Sequence, residues 1–347
     1  MTARPDIKNL TSDDLLNWLD RHGIESYRAE QIFKWLYVHQ ADTFIDMTNI
    51  SKKIRALLAE SFSLDRLAIA KRKTGADGTC KYLLQLSDGE YIESVLIPED
   101  AHNTLCISTQ VGCAQGCRFC LTAQKGFIRN LTQSEIVSQI LDIRKDIGDQ
   151  SRISNIVLMG MGEPLANYDN VLKALQIITD GDCGLKFSTR KVTLSTVGLV
   201  PRLSALGHAT TVNLAVSLNA TTNETRSRLM PINTKYPIES LLSACTAYPL
   251  APRRKITFEY ILIDGVNDSE QDARQLIKLL KPRYAKINLI PFNEHDECEF
   301  KRPPDLTIER FRDILHQHKF TVITRLSKGG DIAAACGQLS AEIDDYE

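Results

Sequence analysis

Apolar residues early in the chain fall at helical spacing. Between about residue 10 and residue 62 they recur three and four positions apart: Leu15, Leu16, Trp18 and Leu19, then Ile32, Phe33, Trp35 and Leu36, then Ile54, Leu57 and Leu58. Thr11-Ser12-Asp13-Asp14 supplies an N-cap and early-turn acids, and Gly23 a stop. From Leu67 to Pro98 the runs become short and alternating. Lys81 to Leu86 and Tyr91 to Ile97 read as a hairpin around the turn Ser87-Asp88-Gly89. Beyond Asn103, strand and helix patterns alternate. Strands are expected at Thr104–Thr109, Ile153–Met159, Lys191–Thr196, Thr211–Ser217, Lys255–Ile263 and Lys286–Ile290, and helices at Ser134–Ile147, Val171–Thr179, Ile238–Ala244 and Glu270–Leu280. This alternation predicts an α/β fold with a parallel sheet, and six such units, short of the eight of a closed barrel, predict a partial barrel. The expected division is a helical accessory domain over 1–65, a small β element over 66–100 and the core over 101–347.

Composition narrows the class. The chain is 347 residues long, 43% hydrophobic and 24% charged, as ordinary globular proteins are. Met1–Leu10 carries no signal pattern and no apolar run is long enough to span a membrane, so a cytoplasmic protein with no membrane association is expected. A net charge of −1 provides no global field for nucleic acid. Any such contact would come from local clusters: Lys71-Arg72-Lys73, Arg253-Arg254-Lys255, or Lys186 with Arg190-Lys191.

Cysteine placement says more. Of nine cysteines, Cys113, Cys117 and Cys120 crowd into eight residues as Cys-x3-Cys-x2-Cys, just after the first strand of the β/α region. An odd count without a secretion signal disfavours a disulfide framework. Structural zinc wants four ligands, and no fourth Cys or His stands near with pairing spacing. Three thiolates suit a four-iron cluster with one iron left open. Zinc with a distant fourth ligand and three unrelated core cysteines are the competing readings.

The motif, with Phe119 before its last cysteine, resembles the radical S-adenosylmethionine (SAM) superfamily. Longer stretches resemble the RlmN family within it: Cys106 to Cys113, Met159-Gly160-Met161-Gly162-Glu163-Pro164-Leu165, Ile287 to Pro291, Gly330 to Leu339, and Tyr27 to Leu36 near the start. The resemblance implies a partial (β/α)6 radical SAM barrel binding a [4Fe–4S] cluster through Cys113, Cys117 and Cys120, with SAM on the open iron. It implies methylation of adenosine C2 in 23S rRNA and of adenosine 37 in some tRNAs. That carbon is electrophilic and has no lone pair with which to attack SAM, so ordinary displacement fails and radical chemistry is needed. By the same resemblance Cys336 carries the methyl group, Cys106 releases the product through a disulfide with Cys336, and Glu93 accepts the proton. On the residues alone, Cys106 and Cys336 could be small buried hydrophobes and Glu93 an outward-facing strand residue.

Gly162 and Glu163, Ser195, Ser217-Leu218-Asn219 and Asn293 carry over as SAM contacts, and all stand at the C-terminal ends of expected strands. Asn219 departs from the histidine usual in the family, although either side chain donates a hydrogen bond. The related Cfr-type enzymes, which methylate C8, tend to have Ala in place of Pro164 and lack a stretch like Gln124-Lys125-Gly126-Phe127, so both features favour C2. An electron donor such as flavodoxin or ferredoxin and a monomeric state are expected. A non-enzymatic RNA-binding protein with a structural metal remains the alternative from another class.

Overall fold

The computed structural model describes residues 4–100, 102–148, 151–295, 298–325 and 327–342. Helices Ser12–Arg21, Arg28–Phe33 and Lys52–Ser61 form the start of the chain. Thr11 and Asp14 close a capping box on the first, and Gly23 adopts φ +63° beyond it. Leu15, Trp18, Leu19, Ile32, Phe33, Leu36 and Leu58 are buried, as the spacing predicts.

Among the described residues twelve strands follow: β1 (Ala68–Thr74), β2 (Cys80–Gln85), β3 (Tyr91–Glu99), β4 (His102–Cys106), β5 (Gln110–Gly112), β6 (Phe127–Asn130), β7 (Ile153–Leu158), β8 (Val192–Thr196), β9 (Asn213–Ser217), β10 (Ile256–Leu262), β11 (Ala285–Pro291) and β12 (Thr321–Thr324). Ten of them make one sheet in the order β1-β2-β3-β4-β7-β8-β9-β10-β11-β12, while β5 and β6 pair separately. Within the ten-stranded sheet every pairing from β4 to β12 is parallel, while β5 and β6 pair antiparallel. The six expected parallel strands are all present, and β12 adds a seventh. The sheet does not close, since β1 and β12 are its edges.

The β2–β3 hairpin forms where expected, but β3 also pairs antiparallel with β4, so β1–β3 continue the barrel sheet. That pairing covers an edge β4 would otherwise expose. Helices Gln133–Ile147, Tyr168–Thr179, Val200–Ala209, Glu270–Leu279 and Asp305–Gln317 follow the parallel strands, and capping boxes start the first and fourth at Thr132/Glu135 and Ser269/Asp272. Among the described residues no helix is long and apolar enough to cross a membrane.

Candidate active site

A cavity open to solvent sits at the C-terminal ends of β7–β11. Parallel strands end there with unpaired backbone and outward loops, which is where such folds put their chemistry. Cys113, Cys117, Cys120, Gly162, Glu163, Ser195, Ser217, Asn219 and Cys336 all line it.

The cysteine loop runs from β5 to the short helix Leu121–Gln124. Gly112 (φ +70°) begins it, and a side chain there would strike the Gly126 carbonyl, which accepts from Cys113 N at 2.8 Å. Burial raises all three thiols: Cys113 to about 12, and Cys117 and Cys120 upward as well. Thiols held this dry keep their protons unless a soft cation displaces them. The donor set therefore fits an iron–sulfur cluster, and the cavity beside it has room for a ligand of the open iron.

Gly162 has φ +99°, and a Cβ there would lie 2.5 Å from Gln110 Cβ, so only glycine fits this turn. Next to it, Glu163 is buried. Leu165 N (2.9 Å) and Thr196 Oγ1 (2.7 Å) donate to Oε1, and Val197 N (2.8 Å) donates to Oε2. Burial outweighs these bonds and pushes the carboxyl up to about 7. Oε2 keeps acceptor capacity, so an ammonium group in the cavity would both fill it and hold the carboxylate ionised.

Glu259, which the sequence reading passed over, belongs to this wall. It stands in β10, accepts from Ser195 Oγ at 2.7 Å, and is raised by burial despite bonds from Ser195 and Ser217. A lone acid in the apolar run Ile256–Leu262 is the signal that could have found it.

Asn219 adopts φ +57°, a left-handed conformation that Asn and His both tolerate better than most residues, so the departure from histidine costs little in backbone terms. Its Oδ1 accepts from Ile261 N at 2.9 Å and its Nδ2 donates to Met230 Sδ at 3.3 Å. Leu218 and Asn293 do not line the cavity. Leu218 N donates to Glu259 O, and its own carbonyl accepts from Arg226 and Ala220. Asn293 Nδ2 donates to Cys336 O at 3.0 Å, holding the C-terminal loop.

That loop docks directly on the cysteine loop. Leu121 N donates to Gly337 O at 2.7 Å and Thr122 Oγ1 to Leu339 O at 2.6 Å. Cys336 is exposed on the cavity side yet dry enough that desolvation lifts its thiol to about 11. Cys106, buried at the end of β4, is raised above its ordinary range by burial first and by the nearby Cys336 second. Both are free thiols.

Glu93 is fully buried rather than outward-facing, because the C-terminal segment covers the second face of β3. Lys81 Nζ, itself fully buried, lies 3.0 Å from its Oε1, and Ser340 N (2.8 Å) and Ala341 N (3.1 Å) donate to its Oε2. Two of the basic clusters point elsewhere: Lys186 with Arg190-Lys191, and Arg253-Arg254-Lys255, precede β8 and β10 at the end opposite the cavity. Arg254 bonds the carbonyls of Thr189 and Thr211 there. In the third cluster, Arg72 pairs with Asp146 at 2.9 Å.

An incomplete parallel barrel with three cysteines and a glycine–glutamate turn at its mouth defines a radical SAM protein, and the radical SAM superfamily model matches residues 107–277. The model described as the ribosomal RNA large subunit methyltransferase N-terminal domain matches residues 5–64. The chain is 65% identical to the dual-specificity RNA methyltransferase RlmN of Desulfosudis oleivorans, over 99% of this chain and 93% of that one. It is 54% identical to the RlmN of Geobacter sulfurreducens, over 99% and 94%. The crystal structure of a radical SAM methyltransferase from Sphaerobacter thermophilus superposes with a TM-score of 0.91 at 41% identity, covering 97% of this chain and all of that one. The chain belongs to the RlmN family of radical SAM methyltransferases, and its cofactors are a [4Fe–4S] cluster and SAM.

Proposed function

We propose that this enzyme methylates C2 of an adenosine in 23S rRNA and adenosine 37 of some tRNAs, with Cys336 as the methyl carrier. The observation that carries the reading is the docking of the Cys336 loop on the cysteine loop, which brings both to the lining of one cavity. The relatives' dual-specificity name and the family match over residues 5–64 support RNA as substrate. Pro164 lines the cavity and Gly126 braces Cys113, so both features that favour C2 over C8 belong to the site.

When bound, the cluster and SAM supply one-electron cleavage of a sulfonium carbon–sulfur bond, and with it a carbon radical. Cys113, Cys117 and Cys120 would hold the cluster. Gly162 and Glu163 would receive the amino acid end of SAM, while Ser195, Ser217 and Asn219 would line the remainder of the cradle, with Leu218 and Asn293 bracing it from outside the cavity. Cys336 must lose its proton before its sulfur can take a methyl group by displacement. Glu93 accepts the proton leaving the adenine carbon. Cys106, as thiolate, then attacks the Cys336 sulfur: the sulfur–sulfur bond forms, the bond from Cys336 sulfur to the transferred carbon breaks, and that carbon keeps the electron pair and takes up a proton to become the product methyl group.

Residues 1–65 act as the accessory RNA-holding domain with the β element over 66–100, and 101–347 as the catalytic core. Base-modifying enzymes take their target out of the stack, and RNA readers favour unpaired loops. The protein works in the cytoplasm as a monomer, reduced by a flavodoxin or ferredoxin. Anaerobic reconstitution with SAM, reductant, an rRNA fragment and tRNA, followed by mass spectrometry of nucleosides, should give 2-methyladenosine from both RNAs. Formation of 8-methyladenosine would overturn the C2 assignment.

A further inference from the structure

Arg226, in helix Asn223–Leu229, is the largest fully buried side chain in the described structure, at 0% exposure. Its guanidinium donates to Leu218 O (3.1 Å), Asn233 Oδ1 (3.1 Å), Tyr236 O (3.3 Å), Val197 O (2.8 Å) and Ser217 O (3.2 Å). Every acceptor is neutral. Among the described residues no carboxylate pairs with it, and its helix abuts the cysteine loop: Leu229 O accepts from Arg118 N at 3.0 Å, and Cys117 packs in one buried cluster with Leu229 and Met230, whose N–H donates to Arg226 O at 2.7 Å. Hydrogen bonds satisfy the donors but leave the net charge, and a buried unpaired cation costs several kcal/mol.

The carbonyls it grips have a pattern. Val197, Ser217 and Leu218 are the residues just past β8 and at the end of β9, where the cradle stands. Val197 is held from both sides, its N–H by Glu163 Oε2 and its carbonyl by Arg226 Nη2. Neutral amides could tie these carbonyls at a smaller desolvation cost, so the charge needs its own explanation. Three thiolates and the carboxylate of SAM bring negative charge to this end of the barrel.

We propose that Arg226 is a positioning residue, a fixed counter-charge for the cluster at Cys117 that also clamps the strand ends forming the SAM cradle. The proposal rests on Cys113, Cys117 and Cys120 being the cluster ligands. Reduction adds an electron to the cluster, and a fixed cation favours the reduced form. In Arg226→Gln protein with full iron and sulfide, reduction should be on the order of tenfold less favourable, a midpoint about 59 mV lower in an anaerobic redox titration. Arg226→Lys keeps the charge but cannot span five acceptors, so its midpoint should stay at the wild-type value while SAM binding weakens about tenfold. An unchanged midpoint in loaded Arg226→Gln, or an equal drop in Arg226→Lys, would overturn the proposal. If Arg226→Gln does not fold, Arg226→Lys decides alone: a wild-type midpoint with weaker SAM binding supports it, and a lowered midpoint sinks it. Wild-type protein devoid of iron and sulfide after reconstitution is a separate result, which would remove the ligand assignment itself.

Discussion

Two walls of the cavity are built by different means. On one side, Glu163, Ser195, Ser217 and Glu259 stand on or beside strands fixed by the parallel ladder, with Arg226 and Asn219 lacing the strand ends together. On the other, the segment around Cys336 is held mainly by exchangeable side-chain bonds. Ala76 N donates to Asp331 (2.8 Å), Gly329 N to Asp77 (2.9 Å), Lys81 Nζ to Ala333 O (3.3 Å), and Ser340 N to Glu93 (2.8 Å). Each such bond contributes only about 1 kcal/mol net, a little more where a charge takes part. The expectation is that the cofactor wall stays fixed while the methyl-carrier wall parts from it one contact at a time.

Removing a group from each wall should separate two losses. Cys117→Ala is expected to abolish iron binding and methylation together, read by elemental analysis and nucleoside mass spectrometry. Cys336→Ala should keep its iron and still cleave SAM, yet form no methylated adenosine; retained methylation would show that no thiol carries the methyl. Glu93→Gln should slow methylation by about 10²–10⁴-fold, the usual worth of a positioned base. That change also removes the carboxylate charge 3.0 Å from buried Lys81, which should lower Tm. The double variant Lys81→Met/Glu93→Gln removes both charges and should recover much of that stability but none of the rate. A double variant that regained turnover would make Glu93 a structural partner of Lys81 only.

The barrel was legible because its strands are apolar runs such as Ile153–Leu158 and Ile256–Leu262, separated by amphipathic helices. β12 was missed since Thr321–Thr324 is short, rich in threonine and half-exposed. The cysteine loop declared itself through spacing. Cys336 and Glu93 did not: their roles came only from resemblance to a family, and the burial of Glu93 depends on residues 340–341, far along the chain. Arg226 is invisible in the polar stretch Asn223-Glu224-Thr225-Arg226, because periodicity does not say that a short helix sinks into the barrel mouth.

Titration offers a milder test of the rigid wall. The Glu163 carboxyl sits at about 7, against an ordinary 4.5, because burial disfavours its charge. A raised acid stabilises the fold fully below its unfolded value, and that contribution fades as pH climbs through the folded one. Cluster-free and SAM-free protein should thus lose on the order of 3 kcal/mol between about pH 4.5 and pH 8 from this group, seen as a falling Tm. Glu163→Gln should flatten that slope. An equally steep slope in the variant would place the titrating group elsewhere.

The smallest effect probes the exchangeable wall. Asp77 Oδ1 accepts from Thr79 N at 2.9 Å and Oδ2 from Gly329 N at 2.9 Å, where Gly329 turns with φ +66°. Asp77→Ala removes both part-buried bonds, so global stability should fall by about 2 kcal/mol. If the Cys336 segment is a separately docked piece, that cost should appear locally, as faster amide exchange over 329–342 with β7–β11 unchanged. Iron content should not move, and methylation should drop several-fold because Cys336 is aimed at the cavity for less of the time. Exchange that quickened equally in the barrel strands would mean that the two walls open together, and the contrast between them would not hold.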